Sequence, residues 1–202
     1  MSAPVPPNIE ESANPTSFLS PDEIAQLGFR RVGAASQISR YARIYGASSI
    51  SLGDHVRIDD FTIVSARENI DIGSYVHIAA RASLFGGAGM EIGDFAGVSG
   101  GASIYSESDD FSGQFLAGPT IPPAFTAVSG GRISLGHFSL IGSGAVVLPG
   151  ADIGTGAAVG ALSLVNRPVE PWTIVGGQPA RFLAERRQDM VGHAQVLLME
   201  DH

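Results

Sequence analysis

Residues 91–105 read Glu-Ile-Gly-Asp-Phe-Ala-Gly-Val-Ser-Gly-Gly-Ala-Ser-Ile-Tyr, with an aliphatic residue at every sixth position: Ile92, Val98 and Ile104. The same beat precedes it at Leu52, Ile58, Val64 and Ile72, Ile78, Leu84. It resumes at Leu135, Ile141, Val147 and Ile153, Val159, Val165. A weaker instance runs Val32, Ile38, Ile44. Six-residue repeats of this kind specify a parallel β-helix, an all-β solenoid in which each hexad supplies one short strand and one corner. Three hexads close a coil. Coil starts at Leu52, Ile72 and Ile92 are 20 residues apart, a coil of 18 with a two-residue bulge at a corner, whereas Leu135 to Ile153 is 18. The pattern predicts about six coils, enough for neighbours to bury one another's core. The residue after the aliphatic is often Gly (Gly53, Gly73, Gly93, Gly136, Gly142, Gly154, Gly160), read as a corner whose φ other residues reach only with strain.

The beat breaks once. Ile92 to Leu135 spans 43 residues, so one coil of 18 leaves an insertion of 25, roughly residues 106–132. Long loops in compact domains are functional or disordered. This one carries Phe111, Phe115, Leu116, Ile121 and Phe125, so it is expected to be ordered and packed against something.

Three segments follow: a flexible tail over 1–19, the β-helix with its insertion over 20–177, and a C-terminal helix over 178–202. Ser20-Pro21-Asp22-Glu23 is a helix start, and Gly28 ends that short helix. The 3–4 spacing of Phe182, Leu183, Arg186, Met190, Ala194 and Leu197 predicts a second helix beginning at Pro179, of the kind that caps an open solenoid end.

Composition narrows the chemistry. The 202 residues contain no Cys, which removes disulfides, thiolate nucleophiles and Cys-based metal sites. All 12 basic residues are Arg, so no Lys Schiff base can form, and any cationic side chain on a phosphate is a guanidinium. A net charge of −8 argues against a general nucleic-acid binder. No apolar run reaches 18 residues and no signal-peptide order opens the chain; a cytoplasmic protein that does not enter membranes is expected. No His/Asp/Glu spacing suggests a metal site. Gly86-Gly87-Ala88-Gly89 lacks the ending and context of a phosphate loop.

With Gly176-Gly177-Gln178-Pro179-Ala180-Arg181 closing the repeats, the chain resembles the hexapeptide-repeat acyltransferases over about residues 20–190. The resemblance implies a left-handed β-helix and a homotrimer; the hand comes from the resemblance, since crossover rules favour the right. Five further stretches, at 51–61, 75–80, 109–113, 118–122 and 159–165, resemble the acetyltransferases of nucleotide-linked 4-amino-4,6-dideoxyhexoses, the perosamine and dTDP-4-amino-4,6-dideoxyglucose types. These imply acetyl-CoA as donor, a sugar amine as acceptor and a product destined for O-antigen or another surface polysaccharide. Asp109 falls where many wider relatives carry a catalytic His, so that role does not carry over directly. Rival readings are a sugar O-acetyltransferase and a non-catalytic β-helix scaffold.

Acetyl transfer to an amine needs an unprotonated nitrogen, and a base contributes 10²–10⁴-fold. Among five His residues, His77 stands beside the small Ala79-Ala80 and in the coil before the one that launches the insertion. It is the candidate base, with Asp109 or Asp110 orienting it or holding the sugar ammonium; the alternative is a hydrogen-bonded corner histidine. His55 and His137 are read as solvated corners. Asp59, Asp60, Asp110, Phe111 and Phe125 are the candidate acceptor-binding residues. The resemblance sets the CoA arm along the late coils, at the small residues Gly142, Ser143, Gly160 and Ala161. Arg167 and Arg181 are candidates for its phosphates, or else surface ion pairs.

Overall fold

The computed structural model describes residues 17–201. Its core is a triangular prism of three parallel sheets. The first face stacks Arg31–Val32, Ile50–Leu52, Ile70–Ile72, Met90–Ile92 and Ile133–Leu135, continued by bridges at Ile153 and Val169. The second carries Ile38, Ile58, Ile78, Val98, Ile141, Val159 and Val175 at equivalent positions. The third carries Ile44, Val64, Leu84, Ile104, Val147 and Val165. Nearly all these aliphatics are buried, and Ile38, Ile58, Ile78, Val64, Leu84, Ile104 and Ile141 show no accessible surface. The repeat thus marks the inward residue of each strand, and each full burial contributes about 1.5–3 kcal/mol.

The coils number seven on the first two faces rather than six. The last, Val169 to Val175, follows its predecessor by 16 residues and starts after Pro168, so it falls off the six-residue beat.

The corner glycines have a different cause from the expected one. Gly53 and Gly142 are absent from the positive-φ residues. A Cβ on Gly53 would lie 2.6 Å from the Gly73 carbonyl carbon, and one on Gly142 would lie 2.5 Å from the Ala161 nitrogen. Close approach of the next coil requires glycine there. The left-handed residues come two positions later and are mostly large: His55, Tyr75, Phe95, Phe138 and Trp172, with φ of 54° to 60°. These rings form one stacked column along the corner between the first and second faces, at centroid spacings of 4.7 to 6.2 Å. A left-handed non-Gly residue costs about 1–2 kcal/mol, and each aromatic pair returns about 0.5–1.5. His55 is thus an exposed corner residue, as read, that also belongs to the stack.

Helix α1 (Pro21–Gln26) forms as read, with a Ser20–Glu23 capping box, and its Ile24 joins the core cluster with Ile38. Residues 1–16 of the expected tail lie outside the described residues; Phe18 bridges Ser39, and the Leu19 N–H donates to Ile38 O at 2.8 Å.

The C-terminal expectation is corrected. Ala180–Glu185 is a strand that returns antiparallel along Thr173–Gly177, and α2 begins only at Asp189, running to Glu200. The last coil exposes a sheet edge whose N–H and C=O groups need partners, and pairing there outweighs the helical spacing. Nor does α2 cap an end. It leaves Arg186, whose Nη1 donates to the carbonyls of Phe138 and Gly156 at 2.8 and 2.9 Å, and lies over the aromatic column as far as His55 and Tyr75, which Asp201 contacts. The bond to Asp201 pushes the Tyr75 hydroxyl up to about 12.

Candidate functional site

The insertion leaves the third face after Tyr105. Glu107–Asp109 pairs antiparallel with Val128–Gly130, making a two-stranded stem that carries the rest of the loop. Asp110 fixes the turn above it: its carboxylate accepts the backbone N–H groups of Ser112, Gln114 and Phe115 at 3.0, 3.0 and 3.1 Å. Bonds from Ser112, hydroxyl first and then N–H, with those from Phe115 and Gln114, hold the Asp110 carboxyl at about 2. Asp110 is thus occupied within the loop.

Beside the stem lies a cleft of about 620 Å³ lined by Tyr105, Glu107, Ser108, Asp109, Phe111, Ser129, Leu148, Pro149 and Asn166. It falls in the size range of small-molecule sites and has their character, an apolar wall with a few polar groups. Tyr105 stacks on Phe85 at 5.0 Å, which stiffens that wall. Of the candidate site residues, Asp109, read as a partner of the base, and Phe111, read as an acceptor contact, meet here. Tyr105, Leu148 and Asn166 escaped the reading, yet each directly follows an inward aliphatic of the third face (Ile104, Val147, Val165), so strand alternation points them outward.

His77 and Asp59 lie elsewhere. His77 opens a second-face strand, and its Nε2 is 2.8 Å from Asp59 Oδ2, whose other oxygen accepts from Arg57 Nε at 2.7 Å. Partial burial works to raise the Asp59 carboxyl, but the bonds from His77 and Arg57 outweigh it and leave it below its ordinary value. Asp60 turns to Ser39, whose hydroxyl donates to it. Within one chain, neither Asp109 nor Asp110 is the carboxylate that orients His77. Phe125 closes a 3-10 turn at the loop and is 60% exposed.

Gly142, Ser143, Gly160 and Ala161 stack at the corner between the second and third faces, as expected. The N–H groups of Gly142 and Gly160 are spent between coils, on Val159 O and Val175 O at 2.8 Å each. Ser143 and Ala161 are exposed. Arg167 and Arg181 share a separate cleft of about 230 Å³ with Pro168, Val169 and Phe182, between the last coil and the returning strand. Among the described residues, no group of three His, Cys, Asp or Glu could hold a metal ion, and no helix is long and apolar enough to cross a membrane.

Comparison with known proteins gives the chain its family. No family model matches the chain. The dTDP-4-amino-4,6-dideoxy-D-glucose acyltransferase of Escherichia coli is 38% identical over 176 residues, 87% of this chain and 92% of that protein. This chain belongs to the hexapeptide-repeat acyltransferases. The prism is accordingly the left-handed β-helix of that family. The crystal structure of AntD, an N-acyltransferase from Bacillus cereus, superposes with a TM-score of 0.88 at 40% identity, over 91% of this chain and 98% of that one. It holds dTDP-4-amino-4,6-dideoxyglucose and coenzyme A. Another AntD structure holds dTDP and 3-hydroxybutyryl-CoA. The chloramphenicol acetyltransferase of Klebsiella aerogenes is 43% identical over 72 residues, 34% of its length, so its likeness to this acyltransferase is local.

Proposed function

We propose that this acyltransferase moves an acyl group from a CoA thioester to the 4-amino group of a nucleotide-linked 4-amino-4,6-dideoxyhexose, with dTDP as the nucleotide. The observation that carries this is the Asp109 carboxylate in the lining of a cleft whose wall is mostly apolar. A 4-amino-4,6-dideoxysugar brings one cationic group and one methyl group, and the cleft offers one matching surface for each. The name of the Escherichia coli relative and the ligand bound to AntD give the same sugar and nucleotide. The resemblance directs the product to a surface polysaccharide.

Asp109 is the proposed base. AntD has been crystallised with substitutions at a Ser and at an Asp ten residues further on. That spacing occurs here at Ser12/Asp22, Ser49/Asp59 and Ser99/Asp109. Nearly all of AntD matches 91–92% of this chain, so numbering here should run ahead by no more than the unmatched share. Ser99 and Asp109 run ahead by fifteen, whereas the other pairs run behind. The sugar nitrogen attacks the thioester carbonyl, an N–C bond forms, and the C–S bond breaks. Asp109 first takes a proton from the bound sugar ammonium, which frees the attacking lone pair, and the second proton shed by the nitrogen goes to the leaving thiolate. Without Cys there is no acyl-thiol enzyme to form, and direct attack is the simpler route.

The site is completed by a second copy. Ser99 lies at the corner between the second and third faces, in the same column as Gly142 and Gly160, while Asp109 leaves from the far edge of the third face. The loop also presents Phe115, Leu116 and Phe125 at 48–60% exposure, an apolar surface that a neighbouring prism would cover. A homotrimer supplies both. CoA then follows the column of Ser143 and Ala161, and Arg167 and Arg181 take its phosphates.

The test is CoA release with dTDP-4-amino-4,6-dideoxyglucose and GDP-perosamine side by side, with product masses recorded. Turnover of the dTDP sugar with a gain of one acyl group is expected. Turnover of the GDP sugar alone would overturn the nucleotide assignment, and turnover of neither would overturn the acceptor.

A further inference from the structure

The base of the insertion is seated on the glycine turn one coil earlier. Ser106, fully buried, accepts the Ala88 N–H on its Oγ at 2.9 Å and donates that hydroxyl to Phe85 O at 3.2 Å. Its carbonyl accepts the Gly131 N–H at 3.0 Å. The next residue, Glu107, lays its carboxylate directly over Gly87, where any Cβ would collide with it. The same carboxylate is ion-paired to Arg67. Glu107 is the first residue of the strand Glu107–Asp109, so whatever fixes it fixes the strand that ends on Asp109. Within Gly86-Gly87-Ala88-Gly89, which fits no phosphate loop, this contact accounts for Gly87, the space into which the carboxylate fits; Gly86 instead faces Ile70, and Gly89 has a φ of 90°.

We infer that Glu107, held by Arg67 over Gly87, is a positioning residue for the reaction: it sets where the Asp109 carboxylate stands relative to the acceptor amine. This rests on the proposed reading of Asp109 as the base. A misplacement of about 1 Å costs on the order of 10²-fold in rate. The Arg67 side chain is 70% exposed, so solvent screens its side of the pair, and loss of the placement is expected in turnover more than in folding.

The experiment measures kcat and both KM values for Glu107→Gln, Arg67→Met and Gly87→Ala, each alone and combined with Asp109→Asn, with thermal unfolding of every variant. Arg67→Met lies outside the cleft lining and keeps the test open if Gly87→Ala fails to fold. The expected result is a kcat lower by about 10- to 100-fold in each single variant with KM for acyl-CoA unchanged. Arg67→Lys should recover part of what Arg67→Met loses. In the Asp109→Asn background the same changes should cost nothing further, because the residue they position is already gone. Full kcat in folded Glu107→Gln and Arg67→Met, or an undiminished loss in the Asp109→Asn background, would overturn the inference and leave Asp109 as the base. Wild-type kcat in Asp109→Asn alone would instead overturn the reading on which it rests.

Discussion

His77 Nε2 and Asp59 Oδ2 face each other at 2.8 Å across adjacent coils of the second face, with Arg57 on the second carboxylate oxygen. A pair of this kind fixes a tautomer and orients the ring, the role sequence reasoning assigned to His77 with an insertion carboxylate. In the chain the partner comes from its own face, and Asp109 lies beyond the third. His77→Ala should therefore cost less than the hundredfold that marks loss of a general base. A folded His77→Ala enzyme with a larger loss in kcat would return the base to His77.

The separation of Ser99 from Asp109 across the third face makes a prediction about mixtures. Ser99→Ala and Asp109→Asn chains, each poorly active alone, should regain turnover when co-expressed, because some interfaces then pair an intact Ser99 with an intact Asp109. Both substitutions in one chain, co-expressed with themselves, should stay inactive. Failure of the two single variants to complement would mean that each site is built within one chain.

Arg167 and Arg181 border one small cleft at the C-terminal end of the prism. A charge-assisted hydrogen bond is worth about 1.5–3 kcal/mol, so replacing either Arg by Ala should raise KM for acyl-CoA about 10- to 100-fold, with kcat nearly unchanged. Equal loss of kcat in both variants would place these residues at the reacting centre instead.

The seat of Asp110 has a pH signature. Its folded value of about 2 lies below the usual carboxylate value near 3.9, so the anion is preferred by the folded loop. The stabilisation is complete above the unfolded value and is lost as pH falls from about 4 through 2. Amide signals of Ser112, Gln114 and Phe115 should shift together over that window, and Asp110→Asn should flatten the response. Signals that titrate near 4, independently of one another, would mean that the carboxylate is free.

The inward residues were legible because one physical constraint, burial, acts on one aliphatic of each hexad from Ile38 to Val165. The same arithmetic isolated 106–132. What it missed obeys other constraints. The last coil, starting at Val169, shortens by two residues. The strand Ala180–Glu185 is set by an open sheet edge that no local spacing records. The aromatic column was present in the sequence, three residues after Leu52, Ile72, Ile92, Leu135 and Val169, but its rings face outward, where a search for core residues does not look. For the site, Asp109 and Phe111 could be picked out because the insertion breaks the repeat. The pairing of His77 could not, because it depends on side chains 18 residues apart meeting across coils that repeat every 20.

The most direct measurement is single-turnover release of CoA, at saturating acyl-CoA and dTDP-4-amino-4,6-dideoxyglucose, by the wild-type enzyme and by Asp109→Asn. The account predicts one acyl group transferred per site by the wild type and a rate constant 10²–10⁴-fold lower in a variant that still binds both ligands. Equal rates in the two enzymes would contradict it.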